Sequence, residues 1–248
     1  MKTPSRFPRA LYHSHNPEDI GLRLKESRSK TYTKDFVYGA IDGTVTTFAI
    51  VAGVIGAQLS NQTILILGAA NILADGFSMA ASNYLGTKTE IDEMNLLIDF
   101  ETDQIKTDPE GEREEIRQIY MAKGFSDEAL DQAVANITED KELWLQTMLH
   151  EEYGISGVLP SAFKAAVTTF LAFMIFGMVP LAPYIISNDP SFLLTSILTG
   201  IAFFAVGCMK SRWSIESAWL SGLKTLIIGA SAAALAYFAG SFLKGIIE

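Results

Sequence analysis

Cysteine and histidine are nearly absent from this chain. Among 248 residues there is one cysteine, Cys208, and there are three histidines. A single thiol closes no internal disulfide, and no Cys/His pair has the spacing of a zinc site. No glycine-rich phosphate loop of the Walker type is found, which argues against an ATP-driven machine. No nucleophile stands beside a base in any recognisable pattern, so an enzyme is not expected. No basic patch is interleaved with aromatics, which excludes nucleic acid as an expected partner. The segment before the first apolar run near Phe36 is polar and basic, unlike a cleavable signal peptide.

Charge is also missing from most of the chain. The net charge of −9 comes from one block, Lys88 to Gly157, which holds 19 of the 28 Asp and Glu residues against 6 Lys or Arg. Outside it Lys and Arg outnumber Asp and Glu by 13 to 9. Around the block lie five apolar windows, roughly 36–58, 64–85, 163–186, 192–209 and 223–243. Each approaches or exceeds the ~20 residues that a helix needs to cross a hydrocarbon core. The expected fold is an all-α membrane protein with five transmembrane helices and a cytosolic, metal-binding helical domain inserted between spans two and three. The expected divisions are a cytosolic segment 1–34, spans one and two over 35–87, the acidic domain over 88–158, and spans three to five over 159–248.

Local signals fill in this plan. Asn16-Pro17-Glu18-Asp19 predicts a short helix start in the basic N-terminal segment, suited to lie along a membrane surface. His13-Ser14-His15 offers two imidazoles, although a terminal segment is the plainer reading. Gly39 and Gly43 form a G-x-x-x-G pair that permits close approach of another helix, and Gly229, Ala233, Ala236 and Gly240 do the same in span five. The second span is expected to continue past Gly86 into the acidic block. There Asp108-Pro109 predicts an N-cap and first helical position, and Gly124 a C-terminal stop. Ser126 and Thr138 are the expected starts of two further helices, the last ending at Gly154. Pro180 and Pro183 are expected to kink or end span three, and Ser187-Asn188-Asp189-Pro190 to form a turn. The N-terminal segment and the 210–224 link are basic, whereas the 59–63 and 187–190 links carry no Lys or Arg. The positive-inside rule then places the N-terminus and acidic domain in the cytosol and the C-terminus opposite. The expected location is a multi-pass position in the cell (inner) membrane, among lipid.

Asp42 and Asp75 lie within spans, where an ionisable group is costly and therefore a functional candidate. The competing reading of each is a structural hydrogen bond between helices. Asn71, Asp75, Met79 and Asn83 recur at i,i+4 and share one helix face. Asp42 and Met79 fall at similar depth on antiparallel spans, pairing a hard and a soft donor. In the acidic block Glu101 and Gln104 are at i,i+3, Glu112 and Glu115 likewise, and Met148 and Glu152 at i,i+4. Three helices can thus offer oxygen and sulfur ligands to one divalent cation. The plainer reading is a solvated acidic face.

The runs Asp35-Phe36-Val37-Tyr38-Gly39-Ala40-Ile41-Asp42-Gly43 and Leu73-Ala74-Asp75-Gly76-Phe77-Ser78-Met79-Ala80-Ala81-Ser82-Asn83-Tyr84-Leu85 resemble the vacuolar iron transporter family. The five-span plan, the acidic insert and Asp108-Pro109-Glu110 followed by Glu112 and Glu115 fit as well. The resemblance implies a homodimer with a pore between the first spans, exporting Fe²⁺ or similar ions such as Mn²⁺ from the cytosol in exchange for protons. It implies Asp42 and Met79 as pore ligands, and Glu101, Glu112, Glu115, Met148 and Glu152 as collecting ligands, with no tightly bound cofactor. Four positions depart from the pattern. Asn71 and Asn83 stand where glutamates are common, Gln104 replaces a further glutamate, and Leu149 a second methionine. Asp75, one turn from Asn71, is the expected replacement carboxylate. These neutral positions keep open the alternative of a membrane-anchored metal-binding or sensing protein with a non-conducting pore.

Overall fold

The computed structural model describes residues 14–25, 31–155, 159–187 and 189–247. His13, most of the basic N-terminal segment, Val158 and Asn188 of the expected turn lie outside them. The described residues form α-helices and one short 3₁₀ turn, with no strand among them. The α-helices are α1 (Pro17–Lys25), α2 (Thr33–Gly56), α3 (Asn61–Thr107), α4 (Pro109–Ala122), α5 (Asp127–Glu139), α6 (Lys141–Glu151), α7 (Ala162–Ile186), α8 (Phe192–Lys210) and α9 (Ala218–Ile247). Five of them, α2, α3, α7, α8 with its 3₁₀ extension, and α9, are long and apolar enough to cross a membrane. The chain divides into two compact units. One comprises Thr31–Tyr84 and Ala162–Glu248 with the N-terminal helix, the other chiefly Leu85–Ser161.

In the first unit α2 is the central helix, and it is built to be approached. Gly39 and Gly43 lie directly against the backbone of Thr169 and Phe173 on α7, where any added methyl group would collide with main-chain atoms. Near its other end Gly56 meets the Tyr237 backbone, and Gly240 of α9 meets that of Gly53. Small residues are the usual means of helix association in an apolar solvent, since no hydrophobic drive separates lipid from side chain. Large side chains fill the remaining space: Phe48, Val51, Ile64, Ile72, Leu181, Tyr184 and Phe203 form one buried cluster. Outward positions of α7 to α9 stay apolar, as with Ile175, Ile201, Leu235 and Phe238. Pro180 and Pro183 sit inside α7, which continues to Ile186. The prolines therefore remove two amide donors without ending the helix.

The second unit packs α4, α5 and α6 around Ile105, Ile116, Leu130, Val134, Ile137, Trp144 and Met148. Asp108 caps α4 by accepting from Gly111 N at 3.2 Å, with Pro109 in the first turn. Gly124 ends it at φ +92°, a left-handed conformation that glycine adopts without a Cβ penalty. Arg117 Nη1 bonds Asp131 Oδ1 at 2.7 Å, and Lys123 pairs with Glu151. Three boundaries differ from expectation: α6 ends at Glu151, ahead of Gly154, and two others shift as well. Thr138 does not start α6 but lies in the last turns of α5. Asp140 supplies the cap, its Oδ1 accepting from Glu142 N at 2.9 Å and Leu143 N at 3.2 Å. The α8–α9 link is also shorter than 210–224, because α9 begins at Ala218.

Candidate metal sites

In the first unit the polar face of α3 runs antiparallel along α2 as a series of rungs. Asn71 Nδ2 donates to Thr46 Oγ1 at 3.4 Å. One turn on, Asp75 lies near enough to Asp42 for their charges to interact. Met79 lines a groove of about 480 Å³ with Lys34, Asp35, Tyr38, Ser78, Ser82 and Asn83. At the last rung Asn83 Nδ2 donates to Asp35 Oδ1 at 2.8 Å and to Thr169 Oγ1 at 2.7 Å. All four α3 residues are half-buried, as the i,i+4 spacing requires of one face. Asp42 lines a separate groove of about 610 Å³ whose wall includes Ile41, Lys210 and Trp213. Lys34 and Tyr38 belong to both grooves. Met79 and Asp42 thus occupy neighbouring grooves that share two residues. Sequence reasoning passed over Asp35 as a candidate, although its seven-residue spacing from Asp42 puts both carboxylates on one face.

In the second unit Glu101 of α3 and Glu112 of α4 are 2% and 5% exposed, which is rare for carboxylates without a cationic partner. The two carboxyls lie against each other. Glu101 Oε1 accepts a hydrogen bond from Tyr153 Oη at 2.7 Å, while Glu101 Oε2 and Glu112 Oε2 are buried with no hydrogen-bond partner. Burial pushes the Glu112 carboxyl up to about 7, helped by the charges of Glu101 and Glu115, a hydrogen bond with Glu101 and the charge of Glu152. Burial also raises Glu115, helped by Glu152, Glu101 and Asp108. Burial and the bond to Glu101 raise the Tyr153 hydroxyl, which therefore stays protonated as a donor.

The other expected ligands are placed as follows. Glu115 and Glu152 are exposed at the edge of this group, and the Glu152 amide continues α6 by bonding Met148 O at 3.0 Å. Met148 is fully buried in the apolar core beside Ile116. Gln104 is half-buried, and its Oε1 faces Thr107 Oγ1 at 3.5 Å. The described residues contain no three His, Cys, Asp or Glu side chains already converged as a metal cluster. What they contain is a dehydrated pair of carboxyls ringed by two more. Such oxygens gain most from a divalent cation, which satisfies them and expels their protons. Tyr153 went unrecognised in the sequence because its partner lies 52 residues away, beyond any periodic signal.

The sequence profile of the VIT family matches residues 33–241. The chain is 31% identical over 244 residues to a vacuolar iron transporter of Plasmodium berghei, covering 94% of this chain and 89% of that protein. It is 32% identical over 228 residues to vacuolar iron transporter 1 of rice, Oryza sativa subsp. japonica, covering 91% and 88%. A vacuolar iron transporter of Toxoplasma gondii is 33% identical over 239 residues, covering 90% and 79%. The match spans both compact units and every apolar helix that carries a candidate residue, and on it this multi-pass membrane protein belongs to the vacuolar iron transporter (VIT) family.

Proposed function

We propose that this chain is a divalent metal/proton antiporter that exports Fe²⁺, and also Mn²⁺, from the cytosol. The observation that carries the reading is the buried pair of carboxyls on Glu101 and Glu112, held against each other with no further donor at either Oε2. A buried polar atom without a partner is costly, and a dication is the partner that carboxylate oxygens suit. Glu101, Glu112, Glu115 and Glu152, with Met148 and Gln104 beside them, collect the ion at the cytosolic face. Asp42 and Asp75, with Met79 in the adjoining groove, pass it across the membrane. Two copies of the chain form the working unit, so that each ion meets carboxylates from both. The basic N-terminal segment faces the cytosol by the positive-inside rule, and the protein resides in the cell membrane, in contact with lipid. Protons leave the carboxylates when metal binds and return when it departs, which couples the two flows without ATP.

Asn71, neutral and bonded to Thr46, favours a second reading as a metal sensor with a closed path. Flux decides between them. In proteoliposomes loaded with a pH dye, Fe²⁺ or Mn²⁺ entry accompanied by proton exit establishes the antiporter. Metal binding without flux establishes the sensor.

A further inference from the structure

The Tyr153–Glu101 pair has a chemistry of its own, which rests on the second unit being the metal-collecting site. Tyr153 follows the end of α6 by two residues, just before Gly154 turns the chain at φ +67°. Its hydroxyl has one proton and gives it to Glu101 Oε1 at 2.7 Å, with the exposed Glu152 carboxylate also within its reach. Glu101 is 2% exposed, so water does not compete for that oxygen. The other oxygen, Oε2, is buried with no donor of its own, and the Glu112 carboxyl lies against that of Glu101.

We infer that Tyr153 sets the ion selectivity of this site by holding Glu101 as a one-oxygen ligand. With one lone pair of Oε1 engaged by the phenol, Oε2 is the better ligand and two-oxygen binding by Glu101 is disfavoured. Ca²⁺ takes six to eight oxygens and commonly draws two from one carboxylate. First-row ions need fewer donors and tolerate a softer one, such as the Met148 sulfur. Restricting Glu101 to one oxygen therefore penalises Ca²⁺ more than Mn²⁺ or Fe²⁺. Tyr153 is a positioning residue, acting through Glu101 and not on the ion.

The test is calorimetric titration of the detergent-solubilised full chain with Mn²⁺ and with Ca²⁺, for wild type, Y153F, E101Q and the double variant. The phenylalanine keeps the ring and removes only the donor. The expected result is a fall of about ten-fold in the Mn²⁺:Ca²⁺ affinity ratio of Y153F, the lower end of what outer-shell partners contribute. X-ray absorption of bound Mn²⁺ should show an added oxygen in Y153F. In the E101Q background Y153F should change nothing further, since coupled residues are not additive. An unchanged ratio, or an effect of Y153F that persists in full without the Glu101 carboxylate, overturns the inference while leaving the metal site standing. A wild type that prefers Ca²⁺ also overturns it, without reference to any variant. A wild type that binds neither ion overturns the metal-site reading and this inference with it.

Discussion

Asn83 and Asp35 are joined by a 2.8 Å hydrogen bond from the Asn83 amide to Oδ1 of the carboxylate, and the same amide nitrogen reaches Thr169 Oγ1 at 2.7 Å. One neutral side chain on α3 thereby ties α2 and α7. A glutamate there would set a second carboxylate against Asp35. Interhelical hydrogen bonds in membrane proteins average ~0.6 kcal/mol each, so Asn83→Leu should cost about 1 kcal/mol. Asn83→Asp should cost more, through like-charge repulsion. Thermal unfolding in detergent reads both, and equal midpoints for all three proteins would show that the amide contributes nothing.

Asp42 is a carboxylate in the middle third of α2, half-buried, with Asp75 near enough for their charges to interact. Asp42→Asn should abolish metal flux in proteoliposomes and leave the assembly intact by size exclusion. Flux near the wild-type rate would reduce Asp42 to a structural role.

Asp75 lies one turn from neutral Asn71 on the same face. Because an asparagine has no titratable proton, the proposed proton exchange would fall to the carboxylates Asp75 and Asp42. Asp75→Asn should lower the number of protons moved per metal ion, and Asn71→Glu should be tolerated or raise Fe²⁺ transport. An internal pH dye measures the ratio, and an unchanged ratio in Asp75→Asn refutes the assignment.

Glu112 gives the second unit a pH dependence. Its folded-state pKa of about 7 stands above the ordinary 4.5 of a glutamate, so the metal-free folded state holds this proton more tightly than the unfolded chain. That contribution to stability is present in full below pH 4.5 and is lost as pH rises through about 7. Metal binding needs the ionised form, so Mn²⁺ affinity should increase by up to about ten-fold per pH unit as pH approaches 7, and flatten above it. Glu115, raised in the same direction, adds to the slope. Glu112→Gln should flatten the curve, and a titration of affinity against pH checks it.

Much of this was legible in the sequence because it rests on short-range rules. The apolar windows located all five long helices, and Gly39 with Gly43 located the face that α7 meets. Asp108-Pro109 and Gly124 marked the ends of α4 as placed. Thr138 and Asp140 are both eligible caps two residues apart, and only the packing of Ile137 into the core favours continuing α5 past Thr138. The start of α9 was hidden because Ser221 and Lys224 lower its hydropathy and Gly222 lowers its helix propensity. Glu112 and Glu115 looked equivalent at i,i+3, yet one is buried and the other exposed. That difference depends on the phase of α4 against Ile116 and α3, which is tertiary information. The Tyr153–Glu101 bond was hidden for the same reason.

The glycine contacts along α2 also limit how this protein can move. Main chain touches main chain at Gly39 and Gly43 on one side and at Gly53 and Gly56 on the other. A helix seated this way has no side-chain cushion to compress, so rolling it against α7 or α9 is expected to be costly. Asp42 is therefore carried on a fixed rail. Opening of a path beside it is then expected from rotamer changes or from elements other than these three, and labels on α2 and α7 should keep one distance while metal is moved.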